Sequence, residues 1–256
     1  MEVIRKISPD DTMIRYPPLG GGRKQYFALA EEVVKIIRWA LRAVDAEEPR
    51  SILDYPSGHG RVLRMLRAAF PDARLTAADI DHHAVNFCVE TFGAEPIYSH
   101  MHSHEVPPDA EFGLIWCGSL LTHLNADRIR EFLELFESHL SPGGLVLFTT
   151  SGRAGYGVLR RLLPATDPAE VAPADIDAAR QYFPFPEETL PAFASAYEQE
   201  GFAFLDLAEG VRYGTSLASP AWVCRELERL PRLRLVHYME RGWGSVQDVV
   251  ACRRVT

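Results

Sequence analysis

The sequence predicts an α/β fold in which a mostly parallel β-sheet carries helices on both faces. A short apolar stretch, residues 51–54, runs through a glycine-containing turn into an amphipathic helix over residues 61–70. A second strand-like stretch, residues 74–79, and a continuous apolar run, residues 112–117, follow along the chain. A run of that kind is typical of a central parallel strand buried on both faces. Together these elements indicate successive βαβ units.

The turn over residues 54–60, which reads Asp-Tyr-Pro-Ser-Gly-His-Gly, is the strongest indication of a ligand site. Its glycines let the backbone approach a bound molecule, and the helix behind it offers unpaired N–H groups. A dinucleotide-binding turn would carry a third glycine where this chain has Leu63. A carboxylate at Asp54 would repel a pyrophosphate but attract a cationic sulfonium or amino group.

This pattern resembles motif I of the class I S-adenosylmethionine-dependent methyltransferases, with Pro56 in place of the first glycine. The resemblance extends over residues 51–150 and implies a Rossmann-like, seven-stranded, mostly parallel sheet with helices on both faces and an antiparallel last strand. It implies S-adenosyl-L-methionine as the cofactor. The expected cofactor contacts lie in the turn and at the strand ends: Asp54, Pro56, Ser57, Gly58, His59, Gly60, Asp79, Ile80, Ser99, Cys117, Gly118 and Ser119.

Asp79 ends the second strand about 20 residues after the glycines, where a carboxylate can accept both hydroxyls of a ribose. The resemblance makes it the ribose ligand of motif II. A ribose-binding acid suits NAD equally well, so Asp79 indicates a nucleotide cofactor but does not distinguish NAD from S-adenosylmethionine. Its neighbour Asp81 is predicted to be the N-cap of a helix over residues 82–91.

Strand three, residues 96–99, lacks the acid that similar methyltransferases often place after it to meet the adenine amino group. Residues 99–104 read Ser-His-Met-His-Ser-His instead, so the Ser99 hydroxyl or the backbone would meet the adenine. The three alternating histidines would share one face of an extended chain and could then ligate a metal. Solvated loop histidines are the simpler interpretation, and no metal is expected.

The end of strand four opens into the crevice where α/β sheets bind ligands. His123 is the one titratable group that this topology places beside a methyl acceptor, where it could act as a general base. It could equally be an exposed histidine before the helix that Asn125 caps. Methyl transfer from a sulfonium often needs only alignment and exclusion of water. The Asn/Asp-Pro-Pro-aromatic tetrad of many base-modifying methyltransferases is absent here, which argues against DNA adenine as substrate.

The predicted organisation has four parts. Residues 1–45 hold an irregular segment and an amphipathic helix over residues 26–44, and the proline- and glycine-rich stretch 15–22 could be a lid over the cofactor or a disordered leader. Residues 46–150 form the cofactor-binding core. Residues 151–218 are an insertion and the expected substrate cap. Residues 219–256 supply a helix and the last two strands.

Three residues are predicted to contact the substrate. Arg153 and Tyr156 directly follow strand five at the start of the insertion, and Trp243 lies in the loop between the last two strands. The aromatic residues Phe183 and Phe185 are expected to build the insertion's own small core instead.

Composition limits the remaining choices. The 256 residues are 47% hydrophobic and carry a net charge of −8, from 27 basic and 35 acidic side chains. Nucleic acid is therefore a disfavoured partner. No stretch reaches the about 18 apolar residues of a membrane span, and the first residues lack the apolar core of a signal peptide. Four scattered cysteines favour reduced thiols in a cytoplasmic protein, expected to be a monomer or homodimer.

The leading functional hypothesis is methyl transfer from S-adenosyl-L-methionine to an oxygen or nitrogen of a small molecule, such as a sugar or secondary metabolite. The alternatives are an NAD(P)-dependent oxidoreductase and a non-catalytic nucleotide-binding protein. Leu63 at the third-glycine position argues against the oxidoreductase.

Overall fold

A computed structural model describes residues 3–15, 21–100, 106–164, 171–208 and 213–255. Its main sheet has seven strands: β1 (Ser51–Asp54), β2 (Arg74–Asp79), β3 (Glu95–Tyr98), β4 (Phe112–Cys117), β5 (Leu140–Thr150), β8 (Leu233–Trp243) and β9 (Gln247–Arg254). Two further strands, β6 (Phe202–Asp206) and β7 (Gly214–Ala218), form a separate antiparallel pair. The main sheet confirms the predicted number of strands.

The order of the main sheet is β3-β2-β1-β4-β5-β9-β8. The first five strands in this order, β3 to β5, run parallel to one another. Strand β9 runs antiparallel to both of its neighbours, β5 and β8. The predicted antiparallel last strand is therefore confirmed. Strand order reverses between β1 and β4, and in open α/β sheets the crevice at the carboxyl ends of such strands is the usual ligand site.

Eight α-helices occur in the described residues: α1 (Gly22–Ala43), α2 (Leu63–Ala69), α3 (His82–Phe92), α4 (Ala126–His139), α5 (Arg153–Arg160), α6 (Pro173–Tyr182), α7 (Leu190–Glu200) and α8 (Pro220–Leu227). Apolar faces of α1, α2 and α3 form one core layer with the sheet. The apolar faces of α4 and α8 form the second layer on the opposite side. Helices thus cover both faces, as predicted.

The predicted helix starts are confirmed where a polar side chain caps the helix. Asp81 accepts hydrogen bonds from two backbone N–H groups of α3, Asn125 accepts one in α4, and Ser219 accepts one in α8. Helices without such a cap begin at residues other than those predicted. Helix α1 begins four residues before the predicted position. Helix α2 begins at Leu63 because the two residues after Gly60 continue the turn. No side chain at these starts fixes the first turn.

Two strands are longer than predicted. β5 begins at Leu140, because the Ser-Pro-Gly-Gly segment continues beside β4 through an irregularity in the register. β8 continues to Trp243, which pairs with Gln247 on β9. The prediction that Trp243 lies in a connecting loop was therefore wrong, since strand pairing extends to the end of this hairpin.

The insertion, residues 151–218, contains α5, α6, α7 and the β6–β7 pair. The sequence pattern predicts a helix over residues 187–199 and strand-like stretches over residues 202–207 and 211–217, which α7, β6 and β7 confirm in outline, but it does not predict α5 or α6. Buried Phe183 belongs to the insertion's own apolar cluster, with Phe185 packed against it, in agreement with the expectation for these two aromatic residues. The insertion also meets the core in the segment between β4 and α4, where Leu124 forms an isolated bridge with Tyr213.

A buried arginine ties the N-terminal segment to the glycine turn. The Arg64 side chain, which is 0% exposed, donates to the carbonyl oxygens of Ile4 (3.1 Å), Lys6 (2.7 Å) and Gly60 (3.0 Å). It also donates to the Tyr26 hydroxyl at 3.1 Å. Buried cations are tolerated when their donors are satisfied in this way.

In the described parts of the chain, no helix is both long and apolar enough to cross a membrane.

The close packing behind the turn predicts a stability cost at Gly60. An added Cβ would lie 2.3 Å from Cε2 of Phe92, and the residue has a φ of +74°. We expect Gly60→Ala to lower the free energy of unfolding by about 2–4 kcal/mol, measured by urea denaturation.

Gly157→Ala is the matched control. Gly157 lies within α5 with nothing within 4 Å of an added Cβ, so alanine should raise the free energy of unfolding by about 0.5–1 kcal/mol. Equal effects of the two substitutions would contradict the packing argument.

Candidate functional site

A cavity of about 340 Å³ lies at the carboxyl ends of β1, β2 and β4, at the reversal of strand order. Its size is in the range of small-molecule sites. Its lining comes from the N-terminal segment, the glycine turn and three strand ends: Asp10, Asp11, Thr12, Met13, Asp54, Pro56, Ser57, Gly58, His59, Arg61, Val62, Asp79, Asp81, Trp116, Gly118, Ser119 and Trp243. Nine of the sequence-predicted site residues meet here: Asp54, Pro56, Ser57, Gly58, His59, Asp79, Gly118, Ser119 and Trp243.

The Asp54 carboxyl is the most unusual group in this cavity. It is 1% exposed, and within the described residues neither of its oxygens has a hydrogen-bond partner of good geometry. Burial and the neighbouring Asp79 charge raise the pKa of Asp54 well above its ordinary value, while Arg61 and the backbone N–H of Leu63 oppose that rise. A buried carboxylate without a partner is costly, so this group suits a ligand that supplies a cation or a donor.

Asp79 shapes the turn as well as lining the cavity. Its two oxygens accept hydrogen bonds from the backbone N–H groups of Gly58 (2.7 Å) and Asp81 (2.9 Å). Burial raises the pKa of Asp79, and these backbone donors oppose the rise. Each carboxylate oxygen retains a second acceptor site. The carboxylate can therefore hold the loop and still accept a ligand hydroxyl.

Gly58 adopts a φ of +47°, which a side chain would disfavour. This backbone turns one N–H group toward Asp79 and leaves the loop open to the cavity. The neighbouring Ser57 N–H donates to the carbonyl oxygen of Ala78 at 2.9 Å, which fixes the loop against β2.

Two tryptophans and an arginine form one wall. Trp243 packs edge-on against Trp116, with ring centroids 5.6 Å apart, and its Nε1–H donates to the carbonyl oxygen of Leu29 at 2.9 Å. The Arg61 guanidinium carbon lies 5.2 Å from the centroid of the Trp243 ring. Neither Trp116 nor Arg61 was predicted from the sequence as a site residue, although Arg61 directly follows Gly60 of the glycine turn.

The N-terminal segment closes the cavity at residues 10–13. The Tyr26 hydroxyl donates to Oδ2 of buried Asp11 at 2.6 Å, and the Met13 N–H donates to the other carboxylate oxygen at 3.0 Å. The predicted lid was the stretch 15–22, most of which lies outside the described residues. The part of the N-terminal segment that lines the cavity is thus upstream of the stretch that the sequence indicated.

Ser119 follows β4 with a φ of +60°. Its N–H donates to Oγ1 of Thr149 at 2.8 Å, and its hydroxyl accepts a hydrogen bond from Nε2 of Gln247 at 2.8 Å. A non-glycine residue in this conformation carries strain that the surroundings must hold, which is common at functional sites. These contacts join β5 and β9 to the cavity wall.

Four predicted cofactor residues do not line the cavity. Gly60 packs against Phe92, and Ile80 is 52% exposed. Cys117 is buried in the core layer of α4, because successive strand side chains alternate and Trp116 takes the cavity side. Ser99 is fully buried, and its N–H donates to the carbonyl oxygen of Asp79.

His123 lies outside the cavity lining, in a 3-10 turn between β4 and the insertion. Its Nδ1 is 2.7 Å from the carbonyl oxygen of Gly214, and its ring stacks on Tyr213 at 5.1 Å. A carbonyl only accepts, so Nδ1 carries the proton and Nε2 holds the lone pair. Burial lowers the pKa of His123.

The two predicted substrate residues of the insertion also lie away from the cavity. Arg153 is exposed and pairs with Glu240 on β8. The Tyr156 hydroxyl donates to Glu198, and its ring stacks on Tyr197 at 4.7 Å. Both side chains are occupied by contacts within or beside the insertion.

Within the described ranges, no three His, Cys, Asp or Glu side chains come together in a way that could hold a metal ion. His102 and His104 of the alternating histidine stretch lie outside those ranges.

Residues 52–144 match a family model described as a methyltransferase domain. The matched segment, about a third of the chain, is therefore similar to methyltransferase domains. It carries β1 to the start of β5 and the whole glycine turn, so the resemblance to class I S-adenosylmethionine-dependent methyltransferases is confirmed.

One curated relative is the malonyl-[acyl-carrier protein] O-methyltransferase 2 of Ilyobacter polytropus, 25% identical over 126 residues. The match covers 48% of this chain and 48% of the relative, so the chain spans about half the length of the curated relative it matches.

Solved methyltransferases share the fold of this domain. An S-adenosylmethionine-dependent methyltransferase from Clostridium acetobutylicum aligns with a TM-score of 0.57 at 12% identity, covering 90% of this chain and 92% of that one. The 1,6-didemethyltoxoflavin-N1-methyltransferase of Burkholderia thailandensis, solved with bound 1,6-didemethyltoxoflavin and S-adenosylhomocysteine, aligns with a TM-score of 0.57 at 14% identity, covering 90% of this chain and 80% of that one.

The buried Asp54 charge predicts a pH-dependent stability. Because the pKa of Asp54 is raised in the folded protein, its contribution is fully favourable below the unfolded pKa near 4 and is lost as pH rises through the folded pKa. We expect Asp54→Asn to raise the free energy of unfolding of the ligand-free protein at pH 7 by about 1 kcal/mol or more. Urea denaturation at several pH values should show this gain shrinking toward pH 4.

Asp81→Asn is the matched control, since Asp81 lines the same cavity but is exposed. It should change the free energy of unfolding by less than about 0.5 kcal/mol at either pH. An Asp54→Asn variant less stable than the wild type at pH 7 would contradict the assignment of a buried, unpaired charge.

Proposed function

We propose that the protein transfers a methyl group from S-adenosyl-L-methionine to an oxygen or nitrogen atom of a small molecule. The observation that carries the proposal is the buried Asp54 carboxyl, which lacks a well-formed hydrogen bond and lines the same cavity as a second acid, Asp79. S-Adenosylmethionine brings a sulfonium and an ammonium for one acid and a ribose diol for the other. The solved neighbours with bound S-adenosylhomocysteine support the same cofactor.

An NAD(P) cofactor fits this cavity less well. Leu63, at the third-glycine position, is fully buried in the core layer of α1 and α2. The helix therefore lacks the glycine that lets its backbone come close to a pyrophosphate in dinucleotide-binding folds. Five carboxylates line the cavity (Asp10, Asp11, Asp54, Asp79 and Asp81) against one arginine, Arg61. Their charges oppose an anionic dinucleotide bridge.

The acceptor side of the proposal rests on two features. Ser119 after β4 and Trp243 at the end of β8 line the cavity, and Tyr213 and Gly214 of the insertion contact the segment that follows β4. Residues 151–218 are proposed to cap a small acceptor, with His123 as a base where proton removal is needed. Arg153, Tyr156 and Trp243 remain proposed acceptor contacts, and among them Trp243 lines the cavity.

A cytoplasmic location, a monomeric or homodimeric state, and the lack of nucleic-acid and membrane partners remain expectations from the sequence. They form part of the proposal.

Calorimetric titration tests the cofactor. The wild-type protein should bind S-adenosylhomocysteine with micromolar or tighter affinity and should not bind NAD at the same concentrations. Tight NAD binding without binding of S-adenosylhomocysteine would reject the proposal in favour of the oxidoreductase. Binding of S-adenosylhomocysteine without methyl transfer to any member of a broad metabolite panel would support a non-catalytic protein.

The ribose role of Asp79 is tested by two substitutions. Asp79→Ala should weaken S-adenosylhomocysteine binding by about 1.5–3 kcal/mol, the loss expected for charged hydrogen bonds. Asp79→Asn keeps a side-chain acceptor for the Gly58 N–H, so it separates loop support from ribose binding. Unchanged affinity in both variants, measured by calorimetry, would remove Asp79 from the site.

The proposed base is tested by kinetics with an identified acceptor. His123→Ala should lower kcat by about 100-fold or more while leaving cofactor affinity near the wild-type value. Because the pKa of His123 is lowered and the neutral form is the base, wild-type activity should fall only below about pH 6.5. Equal rates in the wild type and the variant would make His123 a bystander.

A further inference from the structure

A second groove lies beside the first turns of α1, apart from the cavity at the strand ends. It has a volume of about 550 Å³ and lies between the N-terminal segment and α1. Among the described residues, none lines both spaces, so the groove is separate from the proposed cofactor site. Its apolar lining is formed by Val3, Phe27, Ala28 and Met65.

Three cations line this groove, and two of them converge on a single aromatic ring. The guanidinium carbons of Arg5 and Arg23 lie 5.3 Å and 5.9 Å from the ring centroid of Phe27. Lys24 is the third cation. All three side chains are exposed, and within the described part of the chain none forms an ion pair, even with Glu31 of the same lining.

The hydrogen-bond donors of these two arginines are largely unused, in contrast to those of buried Arg64 on the same ring. Arg64 donates to three carbonyl oxygens and to a tyrosine hydroxyl. Arg23 donates once, to the carbonyl oxygen of Arg5 at 3.2 Å, and the Arg5 side chain donates to no described residue. Two like charges drawn to one ring repel each other, and an anion between them removes that repulsion.

The charge of the whole chain limits which anion fits. Because the net charge is −8, a long polyanion such as a nucleic acid would be repelled by the surface around the groove. A compact ligand with one strongly anionic end avoids that repulsion. Guanidinium groups match phosphate oxygens with two parallel hydrogen bonds, and a lysine adds a third positive charge. The apolar lining suits a hydrocarbon or aromatic body, and the volume is in the small-molecule range.

We propose that this groove binds an organic phosphate monoester. Its phosphate is held by Arg5, Arg23 and Lys24, and its apolar body lies against the Phe27 ring. The ligand joins the N-terminal segment to α1, and the same segment continues into residues 10–13, which line the other cavity. This site does not depend on the proposed function.

Calorimetry with naphthyl phosphate tests the site, because this probe carries an aromatic body and, at about pH 8, a phosphate dianion. The wild-type protein should bind it with a Kd below about 1 mM at low salt. Naphthol and inorganic phosphate each lack one half of the probe and should bind at least about tenfold more weakly. A wild-type protein that does not bind naphthyl phosphate, or that binds inorganic phosphate equally well, would overturn the proposal.

Double variants test where the probe binds. Replacing Arg5→Gln and Arg23→Gln together should weaken naphthyl phosphate binding at least about tenfold. Replacing both with lysine keeps the charges without the planar groups and should restore part of the affinity. Lys35→Gln with Arg42→Gln is the matched control, since it removes the same charge from exposed positions of α1 outside the groove and should leave the affinity unchanged. Thermal unfolding of each ligand-free variant checks that the fold is retained.

The outcomes separate this inference from the proposed function. Unchanged affinity in the glutamine variant of Arg5 and Arg23 rejects the site. An equal loss in the control variant also rejects it, because binding then follows the overall charge. Competitive displacement of the probe by S-adenosylhomocysteine would place the probe in the cavity at the strand ends and reject the groove. If the wild type binds naphthyl phosphate in the groove but does not bind S-adenosylhomocysteine, the groove site stands and the proposed function fails.

Discussion

A buried carboxyl group without a partner constrains everything else at the end of β1. Asp54 is held there by a short apolar strand within the sheet, and none of the described residues donates a hydrogen bond of good geometry to its oxygens. Such a group lowers the free energy of unfolding, and we propose that a bound molecule rather than stability accounts for its place in the fold. The glycine turn, Asp79 and Arg61 are arranged around the same space.

The N-terminal segment completes that space through long-range contacts. Tyr26 on α1 links Asp11, which faces the cavity, to Arg64 at the start of α2. Arg64 in turn holds the carbonyl oxygens of residues 4, 6 and 60. One buried network therefore positions both the cover of the cavity and its glycine turn, so a ligand that contacts either one is coupled to the other.

The sequence predicted the parts of the fold that depend on local pattern. Apolar strands, the caps Asp81 and Asn125, and the acid-glycine turn all carry signals within a few residues. It missed α5, whose glycines at 155 and 157 lower its helix propensity, and α6, which follows an alanine- and proline-rich stretch.

The remaining site residues depend on tertiary contacts that no local pattern shows. Residues 10–13 reach the cavity through Tyr26, and Trp243 reaches it because its ring packs on Trp116 from a hairpin about half the chain away. Arg61 could have been found from its position after Gly60, but its place in the cavity wall depends on the distant Trp243 ring, over which its guanidinium lies. His123, placed by topology alone, turns toward Gly214 of the insertion.

A crystal structure with S-adenosylhomocysteine is the most direct measurement of the central claim. The account predicts the ligand inside the cavity, its ribose against Asp79 and its amino group within hydrogen-bond distance of the Asp54 carboxyl. A ligand bound elsewhere, or bound in the cavity with Asp54 still lacking any polar contact, would contradict it.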